Sequence, residues 1–430
     1  MIQKPKGTYD VYGDYGKKIK YIEELFEGLM EKYHYEYFRT PIFESSNLYH
    51  RGVGETTDIV TKETYDFKDR GNRDMTLRPE GTAGIVRSYI ENKLYGDNNL
   101  VKAWYYGPQF RYERPQSGRY REFYQFGVEV FGSNDAMLDA EVISIPVTLY
   151  KLLGLKGIKV NINSLGDSES RNNYKDALLN YFKPFINDLC SDCKERYLKN
   201  PLRILDCKID GESDILKNAP KMVDYLNEES KKHFEDLKKY LKALDIEYVE
   251  NSNLVRGLDY YTHTVFEVEA NVEGFGSQNI LCGGGRYDNL VETLGGPKTC
   301  GVGFAMGMER LMKALEYENV NMHIHNCIDC YIIPMDNIVK DYAFNLCMNL
   351  RLNGFITEID FNSRNIKNNF KQADRLKSNF VIIIGEEEKN SDIITIKNNH
   401  TKDEYKINKE DLIDFLDRNI EAEGCDCEQI

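Results

Sequence analysis

Two neighbouring segments carry the strongest structural signal in the chain: Phe110-Arg111-Tyr112-Glu113-Arg114-Pro115 and Gly118-Arg119-Tyr120-Arg121-Glu122-Phe123-Tyr124-Gln125-Phe126-Gly127-Val128-Glu129. Aromatic and aliphatic residues alternate with polar ones, and Pro115 and Gly118 interrupt the run, which predicts two strands joined by a charged turn. Four arginines on one hairpin suit a polyphosphate better than a core, because guanidinium groups bind phosphate oxygens in bidentate pairs. On a strand, Arg111 and Glu113 would share a face. The pattern therefore predicts a phosphate clamp beside an acceptor for an amino group.

The composition limits the class of protein. A chain of 430 residues is expected to form two or three domains. The net charge of −14 argues against a general nucleic-acid coat protein, although it leaves room for a local basic groove. The N-terminus has no apolar core and no apolar run approaches the ~18 residues of a membrane span, so neither a signal peptide nor a membrane segment is expected. We expect a cytoplasmic protein with reduced thiols.

The cysteines give an ambiguous signal. Cys190 and Cys193 form a CxxC pair and Cys207 follows, a spacing that hints at a metal. The second CxxC that would make zinc convincing is absent, and Cys327 and Cys330 lie on the edge of a strand-like run. Structural or incidental thiols are therefore the favoured interpretation, and no metal ligands are predicted.

The chain changes character along its length. Strands dominate up to about residue 165, and a segment rich in Lys, Asn and Leu then reads as helices before strands resume. After about residue 326, strands and helices alternate, which predicts a small three-layer α/β domain. The predicted organisation is a domain over 1–325 interrupted by a mainly helical insertion at 168–248, an α/β domain over 327–420, and an acidic tail at 421–430.

Four further segments combine charged and small residues: 76–82, 254–262, 283–288 and 301–311. Each has a plain structural alternative. Thr82 could cap the following helix, and Arg256 and Asp259 could form an exposed ion pair. The glycines 283–285 could form a tight turn, and Arg310 could simply begin a helix after a buried strand.

The order and joint occurrence of these motifs resemble the class II aminoacyl-tRNA synthetases, and most specifically the histidyl-tRNA synthetase family. The region around Pro41 is similar to the dimer-forming first motif, 110–129 to the second and 301–310 to the third. Segments 254–261 and 284–288 resemble two peptides peculiar to the histidine enzymes. The resemblance covers nearly the whole chain. It implies an α+β fold: a class II catalytic domain, with an antiparallel sheet flanked by helices and a helical insertion, plus a C-terminal α/β anticodon-binding domain.

The resemblance implies a two-step reaction. The carboxylate of histidine attacks the α-phosphorus of ATP, giving histidyl-adenylate and pyrophosphate, and the terminal ribose of tRNA(His) then attacks the acyl carbon. Mg²⁺ accompanies ATP, and no permanent cofactor is expected. Arg111 matches the arginine that binds the α-phosphate and the substrate carboxylate. Arg256 matches one on the opposite side of the phosphate, and we expect it to be the main catalytic electrophile because such reactions depend on alignment and positive charge.

The remaining ATP contacts follow from the same motifs. Glu113 matches the acceptor for the adenine amino group. Phe123 and Arg310 match the residues on the two faces of adenine, where Arg310 would make a cation–π contact. Arg119 and Arg121 are expected to hold the outer phosphates.

Histidine recognition is implied by further matches. The α-ammonium group needs acceptors, and the two imidazole nitrogens need separate partners. A site that engages the whole ring edge rejects analogues that lack those atoms. The expected ammonium acceptors are Glu80, Thr82 and Gln125; the expected imidazole partners are Glu129 and Tyr261, with Tyr260 adjacent; Gly81, Arg111 and Arg256 complete the expected histidine site.

The expected tRNA contacts lie in two places. In 364–377, four basic residues recur at helical spacing and could track phosphates: Arg364, Lys367, Lys371 and Arg375. A solvated helix face explains the same charges equally well. In the turn at 114–118, Gln116 is a candidate for reading a base of the acceptor end. A homodimer is suggested by the resemblance around Pro41.

Three other functions share parts of this pattern. A paralogue without synthetase activity serves as the regulatory subunit of ATP phosphoribosyltransferase in histidine biosynthesis, but it typically lacks the anticodon domain and loses active-site residues. A synthetase for threonine or proline would share the C-terminal domain, and the 256–261 peptide argues against it. A general RNA-binding module does not explain the arginines.

Overall fold

The computed structural model describes residues 1–54, 57, 59–96, 100–115, 118–205, 207, 209–211, 213–256, 258–272, 279–322, 324 and 327–422. The chain divides into two compact units between Asn321 and Met322. Each unit has its own sheet and its own core and is described by itself.

The first unit is built on a large mixed sheet. Its strands, with those of a small sheet beside it, are β1 (Glu36–Tyr37), β2 (Phe43–Ser45), β3 (Tyr65–Lys68), β4 (Asp74–Leu77), β5 (Val101–Phe110), β6 (Glu122–Phe131), β7 (Ile158–Ser164), β8 (Tyr248–Glu250), β9 (Thr262–Ala270), β10 (Ile280–Arg286) and β11 (Gly301–Gly307). Among the described residues, eight strands form the large sheet in the order β1-β5-β6-β11-β10-β9-β7-β8, and β2-β4-β3 form the small one. Only the outer pairs, β1 with β5 and β7 with β8, are parallel in the large sheet. The predicted α+β class is confirmed.

Helices flank the sheet and supply the core. They are α1 (Gly13–Lys32), α2 (Ser46–Val53), α3 (Thr82–Glu91), α4 (Ala136–Leu152), α5 (Ser168–Phe182), α6 (Ser191–Lys199), α7 (Asp214–Lys217), α8 (Glu228–Ala243), α9 (Leu290–Thr293) and α10 (Met308–Tyr317). In α1, Ile22, Phe26 and Met30 recur at helical spacing and are fully buried. The Phe26 ring lies 4.4 Å from that of Phe126 on β6, so the helix anchors the hairpin that dominates the sequence.

The hairpin is longer and its loop wider than the sequence suggested. Strands β5 and β6 pair from Val101 opposite Phe131 to Phe110 opposite Glu122. Arg111 and Glu113 therefore lie beyond the end of β5, and the prediction that they share a strand face is wrong. Their backbones form a tight turn, in which the Glu113 N–H donates to the Arg111 carbonyl at 2.8 Å.

The glycine cluster at 283–285 is a buried strand, and its prediction as a turn is wrong. These residues belong to β10, which pairs with both β9 and β11. Glycine is needed here for close approach: a Cβ at Gly284 would lie 2.2 Å from the carbonyl oxygen of Gly303 on β11. Arg286 ends the strand fully buried, with its guanidinium paired to Asp139 at 2.7 Å.

The second unit is a smaller α/β fold. Its elements are β12 (Ile328–Pro334), α11 (Lys340–Leu352), β13 (Thr357–Ile359), α12 (Ile366–Arg375), β14 (Ser378–Ile384), α13 (Glu386–Ser391), β15 (Ile393–Asn398), β16 (Glu404–Asn408) and α14 (Leu412–Ala422). The strand order in its described residues is β13-β12-β14-β15-β16, parallel at β12 and antiparallel from β14 onward. Ile332, Ile382 and Ile396 on adjacent strands are fully buried, which explains the short apolar runs in the sequence.

Candidate active site

A cavity of about 220 Å³ opens on the face of the large sheet formed by β6, β11 and β10. Alternate residues of two strands line it: Phe123, Gln125 and Glu129 from β6, and Gly303, Ala305 and Gly307 from β11. Three of the four β11 residues in the lining are small, Phe304 being the fourth, which leaves room above the polar side chains of β6. Gly303 pairs with Glu129 across the sheet, and a Cβ at Gly303 would lie 2.1 Å from a carboxyl oxygen of Glu129.

Guanidinium groups from distant parts of the chain line this cavity, and three of them lie near enough to the fourth, Arg310, to act on its charge: Arg111, Arg119 and Arg256. The Arg111 Nε donates to the Pro79 carbonyl at 2.8 Å, and the Arg310 Nη1 donates to the Ile280 carbonyl at 3.0 Å. Burial, and the positive charges of the other three arginines, lower the pKa of Arg310. Four cations in one partly buried space repel one another, and an anionic ligand would relieve that repulsion.

Arg256 is held from two sides. Its Nη1 forms an ion pair with Glu267 on β9, and its guanidinium occupies the space that a side chain at Gly283 would fill, since a Cβ there would lie 2.3 Å from Nη2. Burial opposes the charge, but the Glu267 carboxylate prevails and raises the pKa of Arg256. The Nε donors of Arg256 and Arg119 are buried without a protein partner. Such donors are available to the oxygens of a ligand.

Carboxyl and hydroxyl groups form a second cluster in the lining, around Glu129. Glu129 is 1 % exposed. It accepts hydrogen bonds from Tyr287, from the Thr82 hydroxyl at 2.7 Å and from Tyr105 at 3.4 Å. Burial raises the pKa of Glu129 to about 8, although these donors lower it. A carboxyl group with such a pKa can exist in either protonation state near neutral pH, which suits a partner that itself exchanges protons.

Glu80 caps helix α3. Its two carboxyl oxygens accept from the backbone N–H groups of Thr82 and Ala83, both at 2.8 Å. The cap considered for Thr82 is therefore made by Glu80, and the Thr82 hydroxyl faces Glu129 instead. Burial raises the pKa of Glu80 despite these donors. Glu80 and Thr82 both line the cavity.

The predicted site residues are brought together with two exceptions. Twelve of them line the cavity: Glu80, Thr82, Arg111, Glu113, Arg119, Phe123, Gln125, Glu129, Arg256, Tyr260, Tyr261 and Arg310. Gly81 does not line the cavity. It makes room for the Tyr105 ring, because a Cβ at this position would lie 2.3 Å from that ring. Arg121 also lies outside the lining, with its guanidinium 3.9 Å above the Tyr112 ring. Its contact with the outer phosphates of ATP stays a prediction.

Sequence reasoning missed three polar residues of the site: Glu267, which pairs with Arg256; Tyr287, which donates to Glu129; and Glu309. Glu309 lines the cavity, and its Oε1 accepts from the Tyr9 hydroxyl at 2.6 Å and the Tyr124 N–H at 2.8 Å. For Glu267 the signal was present, because period-two alternation along β9 turns its side chain away from the buried Phe266 and Val268.

The basic residues predicted to bind tRNA differ in where the structure places them. Lys367, Lys371 and Arg375 are exposed at four-residue spacing along α12. Arg364 is not part of this helix, because Asn365 caps it and α12 begins at Ile366. Its guanidinium instead pairs with Asp360 at 2.6 Å, so the prediction that it continues the helical row is wrong. Gln116 lies outside the described residues.

A mixed, largely antiparallel sheet whose cavity gathers four arginines and a buried cluster of carboxyl and hydroxyl groups is the arrangement expected of a class II aminoacyl-tRNA synthetase. The family model of histidyl-tRNA synthetase matches residues 7–311, and that of the anticodon binding domain matches 329–419. The chain belongs to the histidyl-tRNA synthetase family.

Individual relatives agree with this assignment. The chain is 49% identical over 419 residues to histidine–tRNA ligase of Bacillus licheniformis, covering 97% of this chain and 99% of that one. It is 48% identical over 426 residues to histidine–tRNA ligase of Staphylococcus carnosus, covering 99% and 100%. The structure of apo S. aureus histidyl-tRNA synthetase is similar with a TM-score of 0.83 at 43% identity, covering 97% and 100%. The alternative of a regulatory paralogue is not favoured, because these matches run through both units.

Proposed function

We propose that this chain ligates L-histidine to tRNA(His) at the expense of ATP, through a histidyl-adenylate intermediate. The observation that carries the proposal is the polarity of one cavity. Its arginines suit the phosphates and the reacting carboxylate, and its buried cluster of carboxyl and tyrosine groups suits an imidazole. A substrate that contacts both would bring its carboxylate to the arginines.

Among the arginines, Arg111 and Arg256 would hold the α-phosphate and the histidine carboxylate from opposite sides. Positive charge fixed before the reaction stabilises the charge that develops on the phosphate oxygens. Phe123 and Arg310 would enclose the adenine ring, Glu113 would accept from its amino group, and Arg119 would bind the outer phosphates. Glu113 pairs with Arg119 at 2.9 Å. ATP would replace this pair by binding Glu113 through its adenine amino group and Arg119 through its phosphates.

Mg²⁺ is used by this class of enzyme together with ATP. Glu309 fits as a protein ligand, because its hydrogen bonds from Tyr9 and Tyr124 both go to Oε1, so that Oε2 could coordinate a metal. Mg²⁺ commonly takes one or two carboxylates and completes its shell with phosphate oxygens and water. The ion would neutralise the triphosphate.

In the second cluster, Glu129 and Tyr261 would bind the two imidazole nitrogens, with Tyr260 adjacent. Glu80, Thr82 and Gln125 would accept from the α-ammonium group. Gln125 supports this assignment, because its Oε1 is buried without a protein partner. A pocket with such unmatched acceptors discriminates strongly against substrates that leave them unpaired.

The second unit would bind the anticodon region of tRNA(His) through Lys367, Lys371 and Arg375 on α12, and Gln116 would meet the acceptor end. A homodimer in the cytoplasm fits the family. We keep the division of the chain into a catalytic domain over 1–325 with an insertion at 168–248, an anticodon-binding domain over 327–420 and an acidic tail at 421–430. No helix in the described part of the chain has the length and apolarity needed to cross a membrane.

The experiment is ATP–pyrophosphate exchange with each of the standard amino acids in turn, followed by charging of tRNA(His). We expect exchange with histidine alone and accumulation of histidyl-tRNA. Exchange with a different amino acid would show that histidine is not the substrate. Histidine binding without exchange would favour the regulatory paralogue.

A further inference from the structure

Three thiols and a carboxylate meet in the helical insertion of the first unit. The Cys190, Cys193 and Cys207 sulfurs and a carboxylate oxygen of Asp210 all lie within 4.8 Å of one another. Cys190 caps α6, Cys193 lies in its first turn, and Cys207 and Asp210 follow the turn Pro201–Ile204. The sequence spacing is C-x₂-C-x₁₃-C-x₂-D. Asp210 therefore occupies the position of the fourth cysteine that was missing from the sequence pattern.

The separation of two of the sulfurs matches a shared metal ion and not a disulfide. The sulfurs of Cys190 and Cys207 are 3.7 Å apart. Two thiolates bound tetrahedrally to zinc at about 2.3 Å would be separated by roughly 3.8 Å. A disulfide would need a separation of about 2.05 Å. Cys193 and Cys207 are 0% and 6% exposed, so the group is screened from water on its inner side.

The backbone around the thiols is also arranged for a metal. The Asp210 N–H donates to the Cys207 sulfur at 3.4 Å, and the Cys190 N–H donates to Asp210 Oδ2 at 3.0 Å. These bonds orient the ligand atoms toward one another, as outer hydrogen bonds do in metal sites. Gly211 allows the turn to close, because a Cβ there would lie 2.5 Å from the Cys207 carbonyl oxygen.

We propose that Cys190, Cys193, Cys207 and Asp210 form a tetrahedral structural zinc site. Thiolate ligands select zinc over the hard cations Mg²⁺ and Ca²⁺. Four protein ligands fill the tetrahedron and leave no open position, which is the property of a structural rather than a catalytic site.

The site would stabilise the insertion and, through it, one wall of the active site. Cys193 and Cys207 belong to the small core of the insertion, against which Val255 packs. From the same segment, Asn200 Nδ2 donates to Asp259 at 3.0 Å, and Arg171 Nη1 donates to the Tyr261 carbonyl at 2.9 Å. The zinc ligands thus support the peptide that carries Arg256 and Tyr261. The metal would contribute to local folding without touching a substrate.

The test is the metal content of the full chain, purified under reducing conditions from zinc-supplemented cells without a metal-affinity tag. We expect about one equivalent of zinc per chain. After exchange with Co²⁺, we expect the thiolate-to-cobalt charge-transfer band and the intense visible bands of a tetrahedral site. Neither readout depends on the catalytic activity, so the proposal and the proposed function can fail separately.

Variants identify the ligands. Cys190→Ser and Cys207→Ser should lower the zinc content at least about tenfold, in line with the loss of a ligand. Cys347→Ala is the matched control, because Cys347 is a buried thiol in the second unit and should leave the zinc content unchanged. If Cys207→Ser fails to fold, the cobalt spectrum of the unaltered chain still shows whether a tetrahedral thiolate site is present. Three results would each overturn the proposal. The first is an unaltered chain that contains no zinc and shows no cobalt bands; the second is a full zinc content in both serine variants; the third is a Cys190–Cys207 disulfide in the purified protein.

Discussion

The carboxylate of Glu267 on β9 forms an ion pair with the guanidinium of Arg256, which lines the cavity. The pair is largely buried, with the two side chains 21% and 13% exposed. A buried arginine with a single carboxylate partner is fixed in position and keeps its charge, which is the requirement for stabilising a transition state at phosphorus.

Removing the Arg256 charge should therefore stop adenylate formation. Arg256→Ala should lower histidine-dependent pyrophosphate exchange by about 10²- to 10³-fold, the range for one preorganised donor. Glu267→Gln should lower it less, because the guanidinium remains but is less firmly held. Glu269→Gln is the matched control, since Glu269 lies two residues along the same strand and outside the cavity lining. Exchange at the unaltered rate in a folded Arg256→Ala variant would remove this residue from the mechanism.

Gly283 gives an independent test of the same guanidinium. Gly283→Ala would put a methyl group where the end of the Arg256 side chain lies, at 2.3 Å from Nη2. The flexible side chain can move away, so the fold should survive while the catalytic geometry is lost, and kcat should fall at least about tenfold. Kinetics combined with circular dichroism check this. An active Gly283→Ala enzyme would mean that the position of Arg256 is not critical.

Glu129 should make stability depend on pH. Burial raises its pKa from an ordinary value of 4.5 to about 8, so between these values the folded chain keeps a proton that the unfolded chain releases. This contribution to stability is fully present below pH 4.5 and is lost as the pH rises to about 8. Across that window the free energy of unfolding should fall by up to about 1.4 kcal/mol per pH unit relative to Glu129→Gln, which has no such proton. Urea unfolding of both proteins from pH 5 to pH 8.5 measures the difference, and parallel curves would contradict the assignment.

Substitutions of Arg119 and Arg121 should have different effects on ATP binding, although the sequence analysis expects both residues to bind the outer phosphates. Arg119→Ala should raise the KM for ATP about tenfold or more, because a hydrogen bond between charged groups contributes about 1.5–3 kcal/mol. Arg121→Ala should change it less, since its guanidinium lies on Tyr112 outside the cavity lining. Initial rates of exchange at varied ATP give both values. A larger effect at Arg121 would indicate that its side chain swings into the site when ATP binds.

The basic row on α12 should affect tRNA and not adenylate. Replacing Lys367, Lys371 and Arg375 together by alanine should raise the KM for tRNA(His) about tenfold or more at physiological salt, with a shallower salt dependence. Pyrophosphate exchange without tRNA should be unchanged. Arg418→Ala on α14 is a control, because it removes another exposed charge from the same unit. Equal charging kinetics in the triple variant and the unaltered chain would place the tRNA contact elsewhere.

The sequence predicted those features that depend on local periodicity. The hairpin of β5 and β6, the mainly helical segment and the alternation of strands and helices in the second unit follow from patterns that the structure retains. Most residues of the cavity were implied instead by the family resemblance. The predictions were wrong where contacts between distant parts of the chain determine the local structure. Glycines 283–285 signal a turn locally, and only the neighbouring strands β9 and β11 make them a strand.

The site errors have the same origin. Arg364 was predicted from helical spacing, but it lies before the start of α12 and pairs with Asp360 instead. Asp210 was overlooked as a companion of the three cysteines, because a pattern of identical ligands was sought and a carboxylate does not complete it. Such pairings depend on residues brought together by folding.

The most direct test of the account is a crystal structure of the chain with histidine and a non-hydrolysable ATP analogue. The account predicts that Arg111 and Arg256 contact the α-phosphate from opposite sides, that Arg310 covers the adenine ring, and that the imidazole meets Glu129. A nucleotide bound away from these arginines, or an imidazole away from Glu129, would contradict it.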